Sequence, residues 1–176
     1  PELCVYWQAF DGKSGIRDLR GENCLSGMKF IQTRELGRLA RWLRILGFDT
    51  VYFRGSNRSS LVITALREGR IIVTRNLRLA APTGVKLVYL KEGAVEEHLK
   101  QLLKALDIKI DQGRLFTRCL LCNAVLVSID KEKVKDKVPE YVYQSQESFS
   151  ACPDCQKIYW AGTHWGKVVE TLKTIS

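Results

Sequence analysis

The sequence has no long apolar run. No stretch approaches the roughly 18–20 residues of a membrane-spanning helix. The opening Pro-Glu-Leu-Cys-Val-Tyr-Trp has neither the basic region nor the apolar core of a signal peptide. Histidine is scarce, with two in 176 residues, and the single methionine is Met28. No internal repeat or low-complexity tract is visible. Acidic side chains are thin in one stretch above all. Residues 28–80 carry only Glu35, Asp49 and Glu68, against Lys29 and ten arginines. Most of the net charge of +9 therefore sits in less than a third of the chain. At 45% hydrophobic and 27% charged, the whole reads as a soluble globular domain with a small appendage.

Arginine outnumbers lysine in the basic stretch, which suits bidentate contacts with phosphate. Nucleic acid is the expected partner class, with no membrane role. At about 100° per residue, Arg34, Arg38 and Arg41 fall on one side of a helix whose other side carries Leu36, Leu39, Leu43 and Leu46. Arg44 and Arg75 complete the candidate cationic set, for which a plain solvated surface is the alternative. Other chemical candidates are weaker. His98 reads as a surface residue on a helix, and Cys24 has no histidine partner that would mark a nucleophile. Trp160 and Trp165 could stack on bases, although packing is the blander account.

The hydrophobic pattern alternates between strand and helix periods. Strands are expected at 28–32, 50–53, 70–74 and 85–90, and helices at 34–46, 59–68 and 96–106. Gly47 and Gly69 stand where the first two helices should stop. The continuous apolar run Arg-Ile-Ile-Val-Thr at 70–74 suits a strand buried on both faces. Together these predict an α/β domain of three layers around a mostly parallel sheet. Residues 1–27 stand apart as an extension, the tail of another domain or a translation-start artefact.

Beyond about residue 113 the character changes. Cys119 and Cys122 form one Cys-x-x-Cys pair, and Cys152 and Cys155 another. Paired in this way they predict a four-thiolate site for Zn²⁺, tetrahedral and closed, hence structural. Redox pairs or disulfides are the competing reading. Short strands at 115–117, 124–127 and 157–160 flank the pairs, with a charged insertion at 130–138. So few apolar residues imply that the metal supplies stability. His164 is a spare candidate ligand or a packing residue. Cys4 and Cys24 are left over, and a reducing cytoplasm fits the thiol content best.

Four stretches taken together resemble one family: ELGRLARWLRILGFDT at 35–50, EGRIIVTR at 68–75, RCLLCN at 118–123 and YWAGTHW at 159–165. They are similar to the Mut-seven C-terminal RNase domain family, a PIN-like nuclease fold with a C-terminal zinc ribbon. The resemblance runs from about Lys29 to Lys167. It implies a PIN-like domain over 28–112, a four-Cys zinc ribbon over 113–167 and a tail over 168–176. It further implies acidic side chains at the C-terminal ends of the parallel strands, holding Mg²⁺ or Mn²⁺ if the chain is catalytically active.

At two of the places where the resemblance implies an acid, this sequence has Thr33 and Asn76. A third place, near the start of the second helix, is met by Asn57, Arg58, Ser59 and Ser60. Glu35 is the nearest surviving carboxylate, but on a helix it would lie about 200° of azimuth from Thr33. Asp49 reads as a turn residue and Glu68 as a solvated one. The expected function is RNA binding on a nuclease scaffold whose catalytic acids are degenerate. The alternative is an active metal-dependent ribonuclease using non-standard carboxylates, including Glu2, Asp11, Asp18 or Glu22 of the N-terminal segment. An acidic protein partner for the basic face is a third, weaker expectation. Convergence of two carboxylates near Thr33 and Asn76 would discriminate between the first two.

Overall fold

The computed structural model describes residues 27–80 and 82–175. Cys4, Cys24 and the N-terminal carboxylates lie outside the described residues. The fold is mixed α/β and divides into two units. One comprises the described residues up to Leu43 with Phe48–Lys109, and the other Arg44–Gly47 with the residues from Ile110 onward. No helix among the described residues is long and apolar enough to cross a membrane.

The first unit is built on four parallel strands: β1 (Lys29–Gln32), β2 (Asp49–Tyr52), β3 (Arg70–Thr74) and β4 (Leu87–Tyr89). Their order is β2-β1-β3-β4. Helices α1 (Gly37–Ile45), α2 (Arg58–Glu68) and α3 (Val95–Ala105) complete it. All five residues of β3 are buried, as the apolar run requires. Ile31 and Ile72 pack with Leu61 and Ala65 of α2, while Phe30 meets Phe48 edge-on at 5.4 Å. Leu36, Leu39, Leu43 and Leu46 are all buried, which is the stripe read from the sequence.

The expected helix at 34–46 is shorter and begins differently. Arg34–Leu36 form a 3-10 turn, and the α-helix starts only at Gly37. It ends in a Schellman arrangement: the Gly47 amide bonds the Arg44 carbonyl at 3.0 Å, and the Phe48 amide bonds Leu43 at 2.9 Å. Gly47 has φ of +82°, and a Cβ there would run into the Arg114 carbonyl.

The N-terminal edge of the sheet holds its charged residues in one knot. Arg70, 9% exposed, donates to Asp49 and Glu68 at 2.7 Å each. Glu68 is thus an ion-pair partner, not a merely solvated residue, and Asp49 serves the same arginine. His98 also departs from expectation. It is buried, with Nε2 3.0 Å from the Lys91 carbonyl, because that face of α3 turns inward.

The second unit carries an antiparallel sheet of β5 (Val127–Ile129), β6 (Phe149–Ala151) and β7 (Ile158–Trp160), with helices α4 (Glu140–Ser145) and α5 (Thr163–Ile175). The stretch at 130–138 is more than a charged insertion, since Val134 and Val138 pack with Val142 and Phe149 in a small core. The stretch expected as a tail belongs to α5, in which Leu172 and Ile175 are buried.

Candidate functional site

In an open sheet ordered β2-β1-β3-β4, the chain turns in opposite directions from β1 and β3. The crevice beyond the carboxyl ends of those strands is where such folds bind ligands. Here a cleft of about 260 Å³ lies at that position, lined by Thr33, Arg34, Glu35, Asn57, Arg58 and Asn76 among others. Thr33 and Asn76, the two positions at which the resemblance implied acids, are therefore brought together. Asn57 caps α2, its side chain accepting from the Ser59 and Ser60 amides.

Glu35 does not take the position that α-helical spacing from Thr33 implies. Thr33 is extended and Glu35 lies in a 3-10 turn, so α-helical spacing does not apply between them. The carboxylate folds back onto the strand ends. Its Oε1 accepts from the hydroxyls of Thr33 (2.5 Å) and Thr74 (3.1 Å) and from the Arg75 amide (3.2 Å). Partial burial raises the Glu35 pKa, but these bonds outweigh it and hold the carboxyl below its ordinary value. Asn76 is engaged locally: its amide donates to Thr74 Oγ1 at 3.1 Å, and its Oδ1 accepts from the Arg78 amide at 3.0 Å.

Glu35 is the only acidic residue among the described residues that line the cleft. Asp49 and Glu68 are engaged with Arg70 at the other edge of the sheet. Mg²⁺ and Mn²⁺ require several hard, charged oxygens to offset partial dehydration. One carboxylate, two threonine hydroxyls and an asparagine beside two arginines do not fit such an ion.

The predicted cationic set separates into three environments. Arg34 is exposed at the cleft, and Arg38 and Arg41 are exposed on α1. Arg75 is partly exposed and paired with Glu92 at 2.7 Å. Arg44 does not belong to that surface. It is 7% exposed, and Nη1 donates to the Leu120 and Leu121 carbonyls at 2.9 Å each. The signal was available: at about 100° per residue, Arg44 lies roughly 60° from Arg41 and 120° from Arg38, toward the apolar side.

The four cysteines converge, with their sulfurs all within 4.8 Å of one another. Two near-identical turns position them. In the first, the Cys119 amide bonds the Ala124 carbonyl at 2.8 Å, and the Asn123 amide bonds Cys119 at 3.0 Å. In the second, Cys152 bonds Lys157 at 2.9 Å and Gln156 bonds Cys152 at 3.0 Å. Asn123 and Gln156 both take positive φ, the conformation that closes each turn. Cys119 and Cys152 are buried, while Cys122 and Cys155 are exposed. Across the turns, Cys119 lies 3.5 Å from Cys155 and Cys122 lies 3.3 Å from Cys152. A tetrahedral thiolate site with bonds of about 2.3 Å needs sulfurs roughly 3.8 Å apart. The donor set and spacing fit a soft or borderline metal ion.

The electrostatics of the bare thiols say the same. Burial raises the Cys119 pKa, yet hydrogen bonds from the Tyr159 hydroxyl and the Cys122 and Leu121 amides bring it down to about 6. Cys122 has a favourable amide from Ala124, but burial and its thiol neighbours push it up to about 12. Stabilising the Cys119 thiolate while suppressing that of Cys122 is a balance that a bound cation would tip by letting both ionise. Tyr159 was legible only as part of a motif. Its hydroxyl lies 3.2 Å from Cys119 Sγ and accepts from the Leu120 amide at 3.2 Å. Arg118 also supports the first turn, donating to the Asn123 carbonyl at 2.8 Å.

Trp165 stacks on Phe116 with ring centroids 4.0 Å apart, and Trp160 is partly exposed. The His164 side chain lies outside the described residues. In comparisons with known proteins, the family model described as Mut7-C RNAse domain matches residues 28–172. No curated protein and no solved structure gives a match.

Proposed function

The chain belongs to the Mut7-C RNAse domain family, and from that premise we propose that it binds RNA on a nuclease scaffold whose catalytic acids are degenerate. The observation that carries this reading is the lining of the strand-end cleft, where Glu35 is the one acid among the described residues and Arg34 and Arg58 stand beside it. Such a lining attracts phosphate and disfavours a hard divalent cation. RNA would be held by Arg34, Arg38, Arg41 and Arg75, with Arg44 withdrawn from contact by its backbone bonds. Residues 28–112 form the PIN-like domain in this reading and residues 113–167 the ribbon. Cys119, Cys122, Cys152 and Cys155 hold a structural Zn²⁺ that supplies folding stability and no chemistry. Four reduced thiolates suit a cytoplasmic setting.

The test is cleavage of a labelled single-stranded RNA with Mg²⁺ or Mn²⁺, in wild type and in Thr33→Asp/Asn76→Asp, with a chelator control. A silent wild type and a restored variant are expected. Binding is measured alongside, and Arg38→Ala with Arg41→Ala should weaken it and flatten its salt dependence. A second reading, a metal-dependent ribonuclease using a non-standard carboxylate, draws support from the arrival of Glu35 at the strand ends. Metal-dependent cleavage by wild type that Glu35→Gln abolishes would establish it over the first.

A further inference from the structure

The ends of β1 and β3 present hydrogen-bond donors to an oxyanion. Two hydroxyls and one backbone amide converge on a single oxygen, Glu35 Oε1, at 2.5–3.2 Å. Convergent donors of this kind bind anions, as do backbone nests and oxyanion holes. The cleft in front of them is lined by Arg34 and Arg58, both exposed and neither with a carboxylate partner among the described residues. Two guanidinium-bearing side chains therefore share the cleft with one carboxylate that is already satisfied by other donors.

We propose that this cleft is a phosphate site whose resident competitor is the Glu35 carboxylate, which an incoming phosphate group displaces. The proposal rests on the RNA-binding reading and names the chemistry that the cleft would recognise. Phosphate carries several anionic oxygens. One can take the Thr33, Thr74 and Arg75 donors, leaving others for Arg34 and Arg58. Glu35 makes the first set of contacts through Oε1 and no ion pair with either guanidinium. Its side chain is exposed, with three rotatable bonds and a short 3-10 turn beneath it, so it can leave without disturbing β1. The polarity of the strand ends is thus the reverse of a cation site, with the carboxylate as guest and the hydroxyls and amide as host.

The test measures inorganic phosphate binding by isothermal titration or phosphorus NMR in wild type, Glu35→Ala, Glu35→Gln and Arg34→Ala/Arg58→Ala. Loss of the competing charge should tighten phosphate by about tenfold in Glu35→Ala, as expected for hydrogen bonds to a charged group. Glu35→Gln should tighten it less, because the amide oxygen still accepts, and the double arginine variant should weaken it. Unchanged or weaker phosphate binding in Glu35→Ala overturns the proposal. So does Mn²⁺ binding, followed by water-proton relaxation, that is present in wild type and lost in Glu35→Ala.

A pair of oligoribonucleotides with 5′-phosphate and 5′-hydroxyl ends identifies the source of the phosphate. A preference for the first that grows in Glu35→Ala assigns a terminal phosphate, and equal gains assign an internal phosphodiester. If RNA binds through Arg38 and Arg41 while phosphate ignores Glu35, the proposal fails and the RNA reading stands. If phosphate follows Glu35 but RNA does not bind, the RNA reading fails and the anion site stands.

Discussion

Replacing Tyr159 by Phe removes one oxygen and leaves the ring. Because the Leu120 amide donates to Oη at 3.2 Å, the hydroxyl proton is free to point at Cys119 Sγ, also 3.2 Å away. The bond is therefore O–H to thiolate, a charge-assisted contact of about 1.5–3 kcal/mol in a partly buried setting. Four thiolates around a divalent ion leave a net charge of minus two, and every donor onto sulfur offsets part of it. Losing this one should lower metal affinity by about 10–100-fold. The Leu120 amide also loses its acceptor, which adds to the cost. Affinity is read by competition between the zinc-loaded protein and a chromophoric chelator. The Co²⁺ form gives a second readout, because the sulfur-to-metal charge-transfer band should move to lower energy when the thiolate loses a donor. A purely structural role for the ring would leave that band in place. Affinity within twofold of wild type and an unmoved band would refute the argument.

Three further outcomes follow from the same geometry. Cys119→Ala should release the metal and unfold the second unit, read by metal content and circular dichroism; a folded, fully loaded variant would sink the four-cysteine assignment. Gln32 is fully buried in β1, and neither polar atom of its side chain has a partner among the described residues. Gln32→Leu should therefore stabilise the fold by about 1–2 kcal/mol, seen as a higher urea midpoint at unchanged slope; a lower midpoint would mean that the amide is satisfied. The Glu35 carboxyl has a lowered folded pKa, so its contribution to stability is present above its ordinary value of 4.5 and is lost as pH falls through the lower folded value. Glu35→Gln should flatten the acid limb of the stability curve, and an unaltered limb would count against the bonds to Thr33 and Thr74.

Periodicity and spacing carried far in this chain. The leucines of α1, the buried run of β3 and the turn of each Cys-x-x-Cys pair follow from local rules that each segment obeys by itself, while the convergence of the two pairs was read from the ligand count that a metal requires. Each departure has its own physical cause. Glu35 was misplaced because the backbone takes a 3-10 turn before α1, and a 100° rule has no purchase there. Arg44 was counted with its exposed neighbours, although its guanidinium finds carbonyls 76 and 77 residues away. Tyr159 owes its role to a sulfur 40 residues away, which no window around it contains, whereas His98 bonds a carbonyl seven residues upstream and shares the buried face of α3 with Leu99 and Leu102.

The alternating burial of the cysteines bears on oxidative damage. Each exposed sulfur, Cys122 or Cys155, has as a near neighbour the buried cysteine of the opposite turn, at 3.3 or 3.5 Å. A peroxide reaching these cysteines meets an outer thiol first and oxidises it to a sulfenic acid, and a buried thiol across the site is then in place to condense with it, releasing water. The resulting cross-links would join one turn to the other. Injury would then lock the two halves of the site together, and reduction followed by metal would restore it.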